Sequence, residues 1–479
     1  MKQLEKKKIL FVASEAAPFI VTGGLAEVIG SLSKSLAATN RYDVRVILPL
    51  YQDIKEEYRK DFTYLGYVFV KLSWRNLYCG VFQYVKDNVT YYFIDNEYYF
   101  KRRGCYGYFD DGERFAFFCK SVLDVMSYID YYPDIIHCHD WQAALAALYL
   151  KTEYCYKPQY QHIKAMFTIH NIEYQGKYSM DILQDVFGIA SDNAYLLEYD
   201  GAINLMKGAI ECSERFSTVS PTYAEEIKHP YFAHGLDPII KRNEDKLCGI
   251  LNGIDYDYYN PQTDKSLYAN YSADDVLPKA ICKEQLQRCL SLPTRADVPV
   301  VAMITRLVAH KGLDLVCAVI EESLQQDMQL VVLGTGEKVY EQFFIDLARR
   351  YPDKVSASIT FNGDLSRKIY SGADIFLMPS KSEPCGLSQM MASRYGTIAV
   401  VRETGGLKVS IIPYGAGGNG FTFANYNAHD MMHVLNEAIA LYSDKQQWSA
   451  LVHKAMTSDF TWTASAMRYE KVYIELLGK

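Results

Sequence analysis

Residues 9–27 read ILFVASEAAPFIVTGGLAE, and this stretch decides how the chain begins to fold. The apolar run Ile9–Ala13 predicts a buried strand, and the segment after the loop has helical periodicity. Between them the loop ends in TGGL at residues 22–25. A pair of glycines lets backbone N–H groups approach a ligand, and the N–H groups that open a helix have no partner within it. We therefore expect this loop to bind an anion.

The tetrapeptide TGGL recurs at residues 404–407, again ahead of a predicted helix. Either copy alone is typical of an ordinary strand-to-helix turn. The two copies, with Arg306 and Lys311 between them in the sequence, instead indicate two half-sites that close on one phosphate-bearing ligand.

Length and composition indicate a globular enzyme of two or three domains. The chain has 479 residues, of which 49% are apolar and 22% are charged, and a single hydrophobic core rarely serves so long a chain. Its formal net charge of −7 disfavours a nucleic acid or an anionic membrane as partner. Local cations must therefore hold any anionic ligand.

Several patterns favour a cytoplasmic protein. The run Ile9–Ala13 is too short for the core of a signal peptide, and nothing approaches the ~18 apolar residues of a membrane-spanning helix. The 11 cysteines are scattered and include no CxxC pair. This spacing indicates a reducing compartment and gives no support to a thiolate zinc site.

Short β-prone runs alternate with helical stretches, which predicts an α/β protein with parallel sheets and crossover helices. The first series of predicted strands is Ile9–Ala13, Val44–Pro49, Val89–Ile94, Ile135–Cys138, Ala165–Ile169 and Phe216–Val219. The second series is Val300–Ile304, Gln329–Leu333, Ser358–Phe361, Ile375–Pro379 and Ile398–Val401.

The two series predict two domains. Turn signals around Asn252-Gly253 place the boundary near residue 245, which assigns residues 1–244 to the first domain and 245–459 to the second. A helical segment at residues 460–479 is expected to pack back on the first domain. Open α/β sheets bind ligands outside the carboxyl ends of their strands, so we expect the active site in a cleft between the domains.

Six motifs follow one another along the chain, several of them directly after predicted strands. They are Ser14–Glu27, His137-Cys138-His139-Asp140-Trp141, Thr168-Ile169-His170-Asn171, Asn252-Gly253-Ile254-Asp255, Arg306-Leu307 with Lys311-Gly312-Leu313, and Glu383-Pro384-Cys385-Gly386-Leu387. In order and spacing they closely resemble the motifs of bacterial glycogen synthases and plant starch synthases. The resemblance covers nearly the whole chain and implies the GT-B fold, in which two Rossmann-like α/β domains face each other across a deep cleft.

The resemblance also implies a retaining glucosyltransferase. Such an enzyme transfers glucose from ADP-glucose to the nonreducing end of an α-1,4-glucan, either glycogen or starch. Retention without an obvious enzymic nucleophile fits front-face displacement, in which the departing phosphate guides the acceptor hydroxyl. We expect neither a metal ion nor an organic cofactor, and the sequence does not indicate an oligomeric state.

Arg306 and Lys311 supply positive charge of the kind that a nucleotide-sugar donor needs. The pyrophosphate becomes more negative as the glycosidic bond breaks, so the site must stabilise the leaving group. Arg306 offers a bidentate guanidinium at a strand end, and Lys311 offers an ammonium at the start of the next helix. The alternatives to phosphate binding are a surface salt bridge for Arg306 and a solvated helix start for Lys311.

The remaining site residues are assigned from the resemblance. It implies that Glu383 faces the transferred sugar and that His170 lies beside the anomeric carbon, although Glu383 would also suit a helix N-terminus electrostatically (~0.3–1 kcal/mol) and a lone histidine is more often structural. Trp141 is a candidate sugar-facing surface. The expected donor contacts are Thr22, Gly23, Gly24, Asp140, Asn171, Asn252, Cys385, Gly386, Leu387, Thr404, Gly405 and Gly406.

Two motifs have the form of metal sites, but neither fits one well. In the run at residues 137–140, successive side chains of a strand point to opposite faces, and Trp141 follows instead of a further ligand. Asp255-Tyr256-Asp257 has the DxD form of metal-dependent glycosyltransferases of another fold. It follows an Asn-Gly turn, however, where aspartate commonly serves turn geometry.

Val21 departs from the family pattern, which usually has lysine immediately before the first TGGL. No lysine or arginine lies between Ile9 and Ala26, so the loop has no nearby replacement for this charge. Either the donor is held by Arg306 and Lys311 with weaker affinity, or the chain is a noncatalytic or impaired synthase-like glucan-binding paralogue. A GT-B enzyme that uses another nucleotide sugar is the third hypothesis.

We predict that Val21→Lys increases affinity for the donor. One added charged hydrogen bond contributes about 1.5–3 kcal/mol, or roughly 10- to 150-fold in binding. Titration calorimetry with the nucleotide sugar measures the change. Unchanged or weaker binding would contradict the expected geometry of the loop.

Overall fold

Buried apolar strands organise both halves of the chain. The structure, a computed structural model, describes residues 6–478. One unit ends at Asn252 and resumes at Trp462, and the other is Gly253–Thr461. The division falls at residue 252 rather than near 245, because Leu247–Gly249 still forms a strand of the first unit.

The strands of the first unit form a large sheet and a small one. Within the described residues they are β1 (Lys7–Val12), β2 (Tyr42–Pro49), β3 (Thr63–Leu72), β4 (Arg75–Lys86), β5 (Val89–Asp95), β6 (Ile135–His139), β7 (Lys164–Ile169), β8 (Lys177–Ser179), β9 (Glu198–Tyr199), β10 (Ala202–Asn204), β11 (Arg215–Thr218) and β12 (Leu247–Gly249). The large sheet has the order β12-β11-β7-β6-β1-β2-β5-β4-β3, and β8-β10-β9 form the small antiparallel sheet. The strands from β12 to β5 are parallel, whereas β4 and β3 add an antiparallel hairpin that the sequence did not predict.

Helices cover this sheet. They are α1 (Gly24–Ala38), α2 (Glu56–Arg59), α3 (Glu97–Phe100), α4 (Asp111–Tyr128), α5 (Asp140–Tyr149), α6 (Ile182–Asp185), α7 (Leu205–Cys212), α8 (Pro221–Glu226), α9 (Pro230–Ala233) and α10 (Asp237–Arg242). Shorter turns are the π-helical Leu150–Tyr154 and the 3-10 segments Pro158–Tyr160, Ser191–Leu196 and Glu244–Lys246. In α1, Leu25, Ile29, Leu32 and Leu36 are buried at three- or four-residue spacing, so the helix presents one apolar face.

The second unit contains one parallel sheet in the order β15-β14-β13-β16-β17-β18. Its strands are β13 (Val300–Ile304), β14 (Gln329–Leu333), β15 (Val355–Ser358), β16 (Ile375–Met378), β17 (Ile398–Arg402) and β18 (Phe421–Phe423). The prediction of a strand at Ser358–Phe361 was wrong in position. Val355 is buried and pairs with Leu330, whereas Phe361 is 94% exposed and lies beyond the sheet.

The helices of the second unit pack around a core that includes Val301, Met303 and Leu330 from the sheet. They are α11 (Lys279–Cys289), α12 (Leu313–Ser323), α13 (Lys338–Arg350), α14 (Gly363–Gly372), α15 (Ser388–Arg394), α16 (Gly405–Ser410), α17 (Ala428–Tyr442) and α18 (Lys445–Met456), with 3-10 turns at Ala309–Lys311 and Tyr414–Ala416.

The final helix, α19 (Trp462–Leu476), belongs to the first unit. Its Tyr473 hydroxyl lies 2.8 Å from Nδ1 of the buried His137, and its Glu470 accepts a hydrogen bond of 2.6 Å from Arg41. These contacts join the two ends of the chain within one unit. Over residues 6–478, every helix is too short or too polar to cross a membrane.

Candidate active site

In each large sheet, the strand order reverses at one point. In the first unit the reversal lies between β1 and β6: β2 to β5 lie on one side of β1, and β6 and the later strands of the sheet lie on the other side. In the second unit the corresponding reversal lies between β13 and β16. Open α/β sheets bind ligands in the crevice at the carboxyl ends of the strands beside such a reversal. The loops at these positions carry the predicted motifs.

The loop after β1 is closed by a buried carboxylate, that of Glu15. Thr22 donates to it through its backbone N (2.6 Å) and its Oγ1 (2.8 Å), and the Tyr106 hydroxyl donates at 2.8 Å. Residues 21–24 are exposed, and a Cβ placed on Gly23 would meet no atom within 4 Å. Packing therefore does not require glycine at position 23, and the start of α1 offers open backbone.

The second TGGL has a different physical basis. A Cβ on Gly405 would lie 1.9 Å from the Glu383 carbonyl oxygen, and one on Gly406 would lie 1.9 Å from that of Cys385. Gly405 also has a φ of 45°, and the Gly406 N–H donates to the Glu383 carbonyl at 3.1 Å. These glycines let the start of α16 pack directly on the loop at residues 383–385. Thr404, which precedes them, is buried.

Lys311 and Glu383, both predicted catalytic residues, form an ion pair. Lys311 Nζ lies 2.6 Å from Glu383 Oε2, and Ser380 Oγ donates to the same oxygen at 3.1 Å. The two side chains are only 14% and 10% exposed. Arg306, which follows β13, is exposed, and its guanidinium has no ion-pair partner within residues 6–478. The alternative of a surface salt bridge for Arg306 therefore has no support there.

The loop after Glu383 ends in a left-handed turn. Gly386 has a φ of 67°, and α15 begins two residues later, at Ser388. Cys385 is buried and Leu387 is half-buried. Gln389 Nε2 donates to the Gly386 carbonyl at 2.8 Å and thereby holds the turn.

Asp140 and His170 are held together in the first unit. Asp140 Oδ1 accepts the backbone N–H of His170 at 2.8 Å, and Asp140 has a left-handed φ of 57°. The pKa of Asp140 is raised to about 7, chiefly by burial; backbone hydrogen bonds from His170 and Asn171 oppose the shift, and the charge of Glu15 makes a smaller contribution in the same direction as burial. The Asn171 side chain accepts the Glu173 N–H at 3.0 Å in a local turn.

Three histidines, two in β6 and one directly after β7, form a chain of contacts. His139 Nδ1 lies 3.0 Å from His170 Nε2, and the rings of His137 and His139 have centroids 4.1 Å apart. Burial lowers the pKa of all three, that of His170 to about 3. All three imidazoles are therefore neutral at physiological pH.

Other predicted residues lie apart from these contacts. Trp141 packs against Phe115 with ring centroids 5.3 Å apart, so protein rings cover part of the surface proposed for sugar. Asn252 is 4% exposed and ends the first unit. Asp255 Oδ1 accepts the N–H groups of residues 257 and 258 (2.8 and 3.2 Å), so the DxD motif forms a turn. Over residues 6–478, no group of three or more His, Cys, Asp or Glu side chains is placed to hold a metal ion.

Two residues at or just beyond strand ends were not among the predicted site residues. His139 contacts His170, and Phe361 is 94% exposed beyond the carboxyl end of β15. The signal for His139 was its place in the motif at residues 137–141. The signal for Phe361 was an aromatic residue directly before the turn residues Asn362-Gly363, although Phe361 itself fell within the strand predicted at Ser358–Phe361.

The chain matches two protein-family models. Residues 8–242 match the starch synthase catalytic domain, and residues 291–452 match glycosyl transferases group 1. Glycogen synthase from Desulforamulus reducens is 50% identical over 475 residues, which cover 98% of this chain and 99% of that protein. Glycogen synthase from Geobacillus thermodenitrificans is 47% identical over 479 residues, 98% of each chain.

Two solved structures are also similar. The catalytic domain of starch synthase IV from Arabidopsis thaliana, bound to ADP and acarbose, has a TM-score of 0.91 at 33% identity, over 99% of this chain and 100% of that one. This match confirms the predicted GT-B fold. Sucrose-phosphate synthase from Thermosynechococcus elongatus has a TM-score of 0.62 at 16% identity, over 99% and 100% of the two chains, and shares the fold alone.

The raised pKa of Asp140 predicts a pH-dependent stability. The folded-state pKa of about 7 exceeds the ordinary 3.8, so the folded protein binds the Asp140 proton more tightly than the unfolded chain does. The contribution of this proton to the free energy of unfolding is complete below pH ~3.8 and is lost as the pH rises through 7. Asp140→Asn keeps an acceptor oxygen and a residue type that tolerates a left-handed backbone. We expect this variant to lose less stability than the parent between pH 5 and 8, as measured by urea unfolding.

Asp110→Asn is the control for this experiment. At Asp110 burial is outweighed by hydrogen bonds from Arg102, which lower the carboxyl pKa. Its substitution should therefore reduce stability at neutral pH. A profile for Asp140→Asn that runs parallel to that of the parent would contradict the prediction.

Proposed function

Because the chain belongs to the glycogen and starch synthase family of glucosyltransferases, we propose that it transfers glucose from ADP-glucose to an α-1,4-glucan. Glucose is added at the nonreducing end with retention of anomeric configuration. The observation that carries the proposed site is the largely buried ion pair of Lys311 and Glu383 at the strand-order reversal of the second unit.

The cations of the second unit suit the diphosphate of the donor. Lys311 donates one of its three N–H groups to Glu383, and the other two can donate to phosphate oxygens. The guanidinium of Arg306 is exposed and offers a planar fork for a second phosphate group. Both groups stabilise negative charge that grows on the leaving group, so they lower the barrier rather than only tighten binding.

Glu383 suits the transferred sugar. Lys311 and Ser380 both donate to Oε2 of Glu383. Within the described residues, Oε1 has no hydrogen-bond partner. That oxygen can accept a sugar hydroxyl or stabilise the positive charge that develops at the anomeric carbon. No enzymic nucleophile is required if the departing phosphate guides the acceptor hydroxyl on the same face of the sugar.

The first unit also carries groups that are suited by themselves to parts of the donor. Residues 22–24 are exposed and their backbone is suited to an anion, and the half-buried His170 is suited to the sugar. Asp140 contributes by holding the backbone of His170. We further propose that the enzyme acts in the cytoplasm, which agrees with its eleven free cysteines, all within the described residues.

Phe361 is proposed as a platform for the purine base. It lies 94% exposed at the same edge of the second sheet as Arg306 and the loop of Glu383, because all strands of that sheet are parallel. A flat apolar ring at this edge can stack on a nucleobase, whereas its exposure in the free protein has no packing benefit.

The activity is tested by giving the purified protein ADP-, UDP- and GDP-glucose, each with glycogen. We expect ADP release and chain elongation to be greatest with ADP-glucose. A folded preparation that releases no nucleotide and lengthens no chain with any donor would refute the proposal. Equilibrium binding of glycogen without turnover would identify the noncatalytic paralogue instead.

We expect Glu383→Gln and Lys311→Ala each to lower kcat by roughly 10²- to 10³-fold, the range for removing one transition-state contact. Lys338→Ala is the control, because Lys338 is exposed at the start of α13 in the same unit. Steady-state kinetics with circular dichroism separates lost turnover from lost folding. Near-normal rates in either variant would remove that residue from the proposed mechanism.

Phe361→Ala is expected to raise KM for the donor. Stacking of a base on an aromatic ring is worth about 1–3 kcal/mol, or roughly 5- to 150-fold. Phe109→Ala, which removes an equally exposed phenylalanine from the first unit, is the control. An unchanged KM with Phe361→Ala would exclude the platform and leave the rest of the site intact.

A further inference from the structure

His139 is a buried histidine with one hydrogen-bonded nitrogen. It ends β6, which pairs in parallel with β7, and its Nδ1 lies 3.0 Å from Nε2 of His170. The side chain is fully buried, and its Nε2 has no hydrogen-bond partner in the part of the chain that the structure describes. The ring stacks on Phe11 with centroids 5.5 Å apart and planes inclined by 15°.

In the hydrogen bond between His139 and His170, either ring can be the donor. Both rings are neutral, and a neutral imidazole has one N–H and one lone pair. If His170 donates from Nε2, His139 must carry its own proton on Nε2, where a buried N–H would have no partner. If His139 donates from Nδ1, only a lone pair remains unpaired on Nε2. Unpaired buried N–H groups are rarer than unpaired acceptors, so the second arrangement is favoured.

The second arrangement decides the chemistry of His170. With its Nε2 accepting from His139, the neutral ring must carry its proton on Nδ1. The backbone N–H of His170 is held by Asp140, so the residue is fixed at both main chain and ring. Its remaining ring nitrogen therefore presents a hydrogen-bond donor, and His170 as a residue is only half-buried, so this donor is available to a ligand.

We propose that His139 is a positioning residue that fixes His170 as the Nδ1–H tautomer, so that His170 donates a hydrogen bond to an oxygen of the donor sugar and does not act as a base. This inference rests on the function proposed above for His170. It assigns to His139 a role beyond the packing that its burial alone would indicate.

His137 provides a matched control on the same strand. It is equally buried, and its ring nitrogens are engaged by the Tyr473 hydroxyl (2.8 Å) and by Thr168 Oγ1 (2.6 Å) rather than by His170. Replacing either histidine by phenylalanine removes a buried imidazole but keeps a ring. Only the change at residue 139 removes the partner of His170.

The first experiment reads the tautomer directly and needs no substrate. Two-bond 1H–15N correlation spectra of histidine-labelled protein distinguish protonated from bare ring nitrogens, and His170→Gln identifies the signals of His170. We expect His170 to be protonated on Nδ1 in the parent and to include the Nε2–H form in His139→Phe. Protonation of His170 on Nε2 in the parent would overturn the proposal, whether or not the protein transfers glucose.

The second experiment measures coupling. We expect His139→Phe to lower kcat/KM by roughly 10- to 100-fold, as loss of an orienting partner does elsewhere, and His139→Asn, which retains an N–H donor, to recover part of the loss. His139→Phe should have no further effect in a His170→Ala background, because the two residues act as one unit. Additive losses, or an equal loss in His137→Phe, would show a merely structural role.

Discussion

The parallel arrangement of strands is the constraint on which the rest of the structure depends. Parallel neighbours deliver all their carboxyl ends to one edge of a sheet, so loops far apart in the sequence emerge side by side. Lys311 and Glu383 are 72 residues apart in the chain and still form a buried ion pair. His139 and His170 meet in the same way across β6 and β7. Each contact lies beside the point where the strand order of its sheet reverses.

The two TGGL tetrapeptides show how one sequence can satisfy different physical requirements. At Gly23 the space around the missing Cβ is open, so the glycine leaves backbone accessible. At Gly405 and Gly406 that space is filled by carbonyl oxygens of the loop that contains Glu383. The second pair therefore supports the loop that contains Glu383 through packing, while the first borders solvent at the start of a long helix.

Burial sets the electrostatics of the two units differently. The first unit buries neutral imidazoles and a carboxyl whose pKa is raised to about 7, which suits hydrogen bonding to an uncharged sugar. The second unit buries a charged pair and leaves Arg306 exposed, which suits a diphosphate. The two units differ in this way because a charged side chain is buried only where it has a partner, since burying an unpaired charge costs free energy.

The sequence by itself determined the α/β class, most of the parallel strands and the motifs that identify the family, because periodicity and turn chemistry are local. It did not predict the hairpin of β3 and β4, and it misplaced the strand at Val355–Ser358, because pairing with Leu330 rather than local propensity defines that strand. Only the tertiary structure decided that Lys311 pairs with Glu383 and that His139 contacts His170. Such contacts depend on strand order and register, which bring together side chains that no local pattern relates.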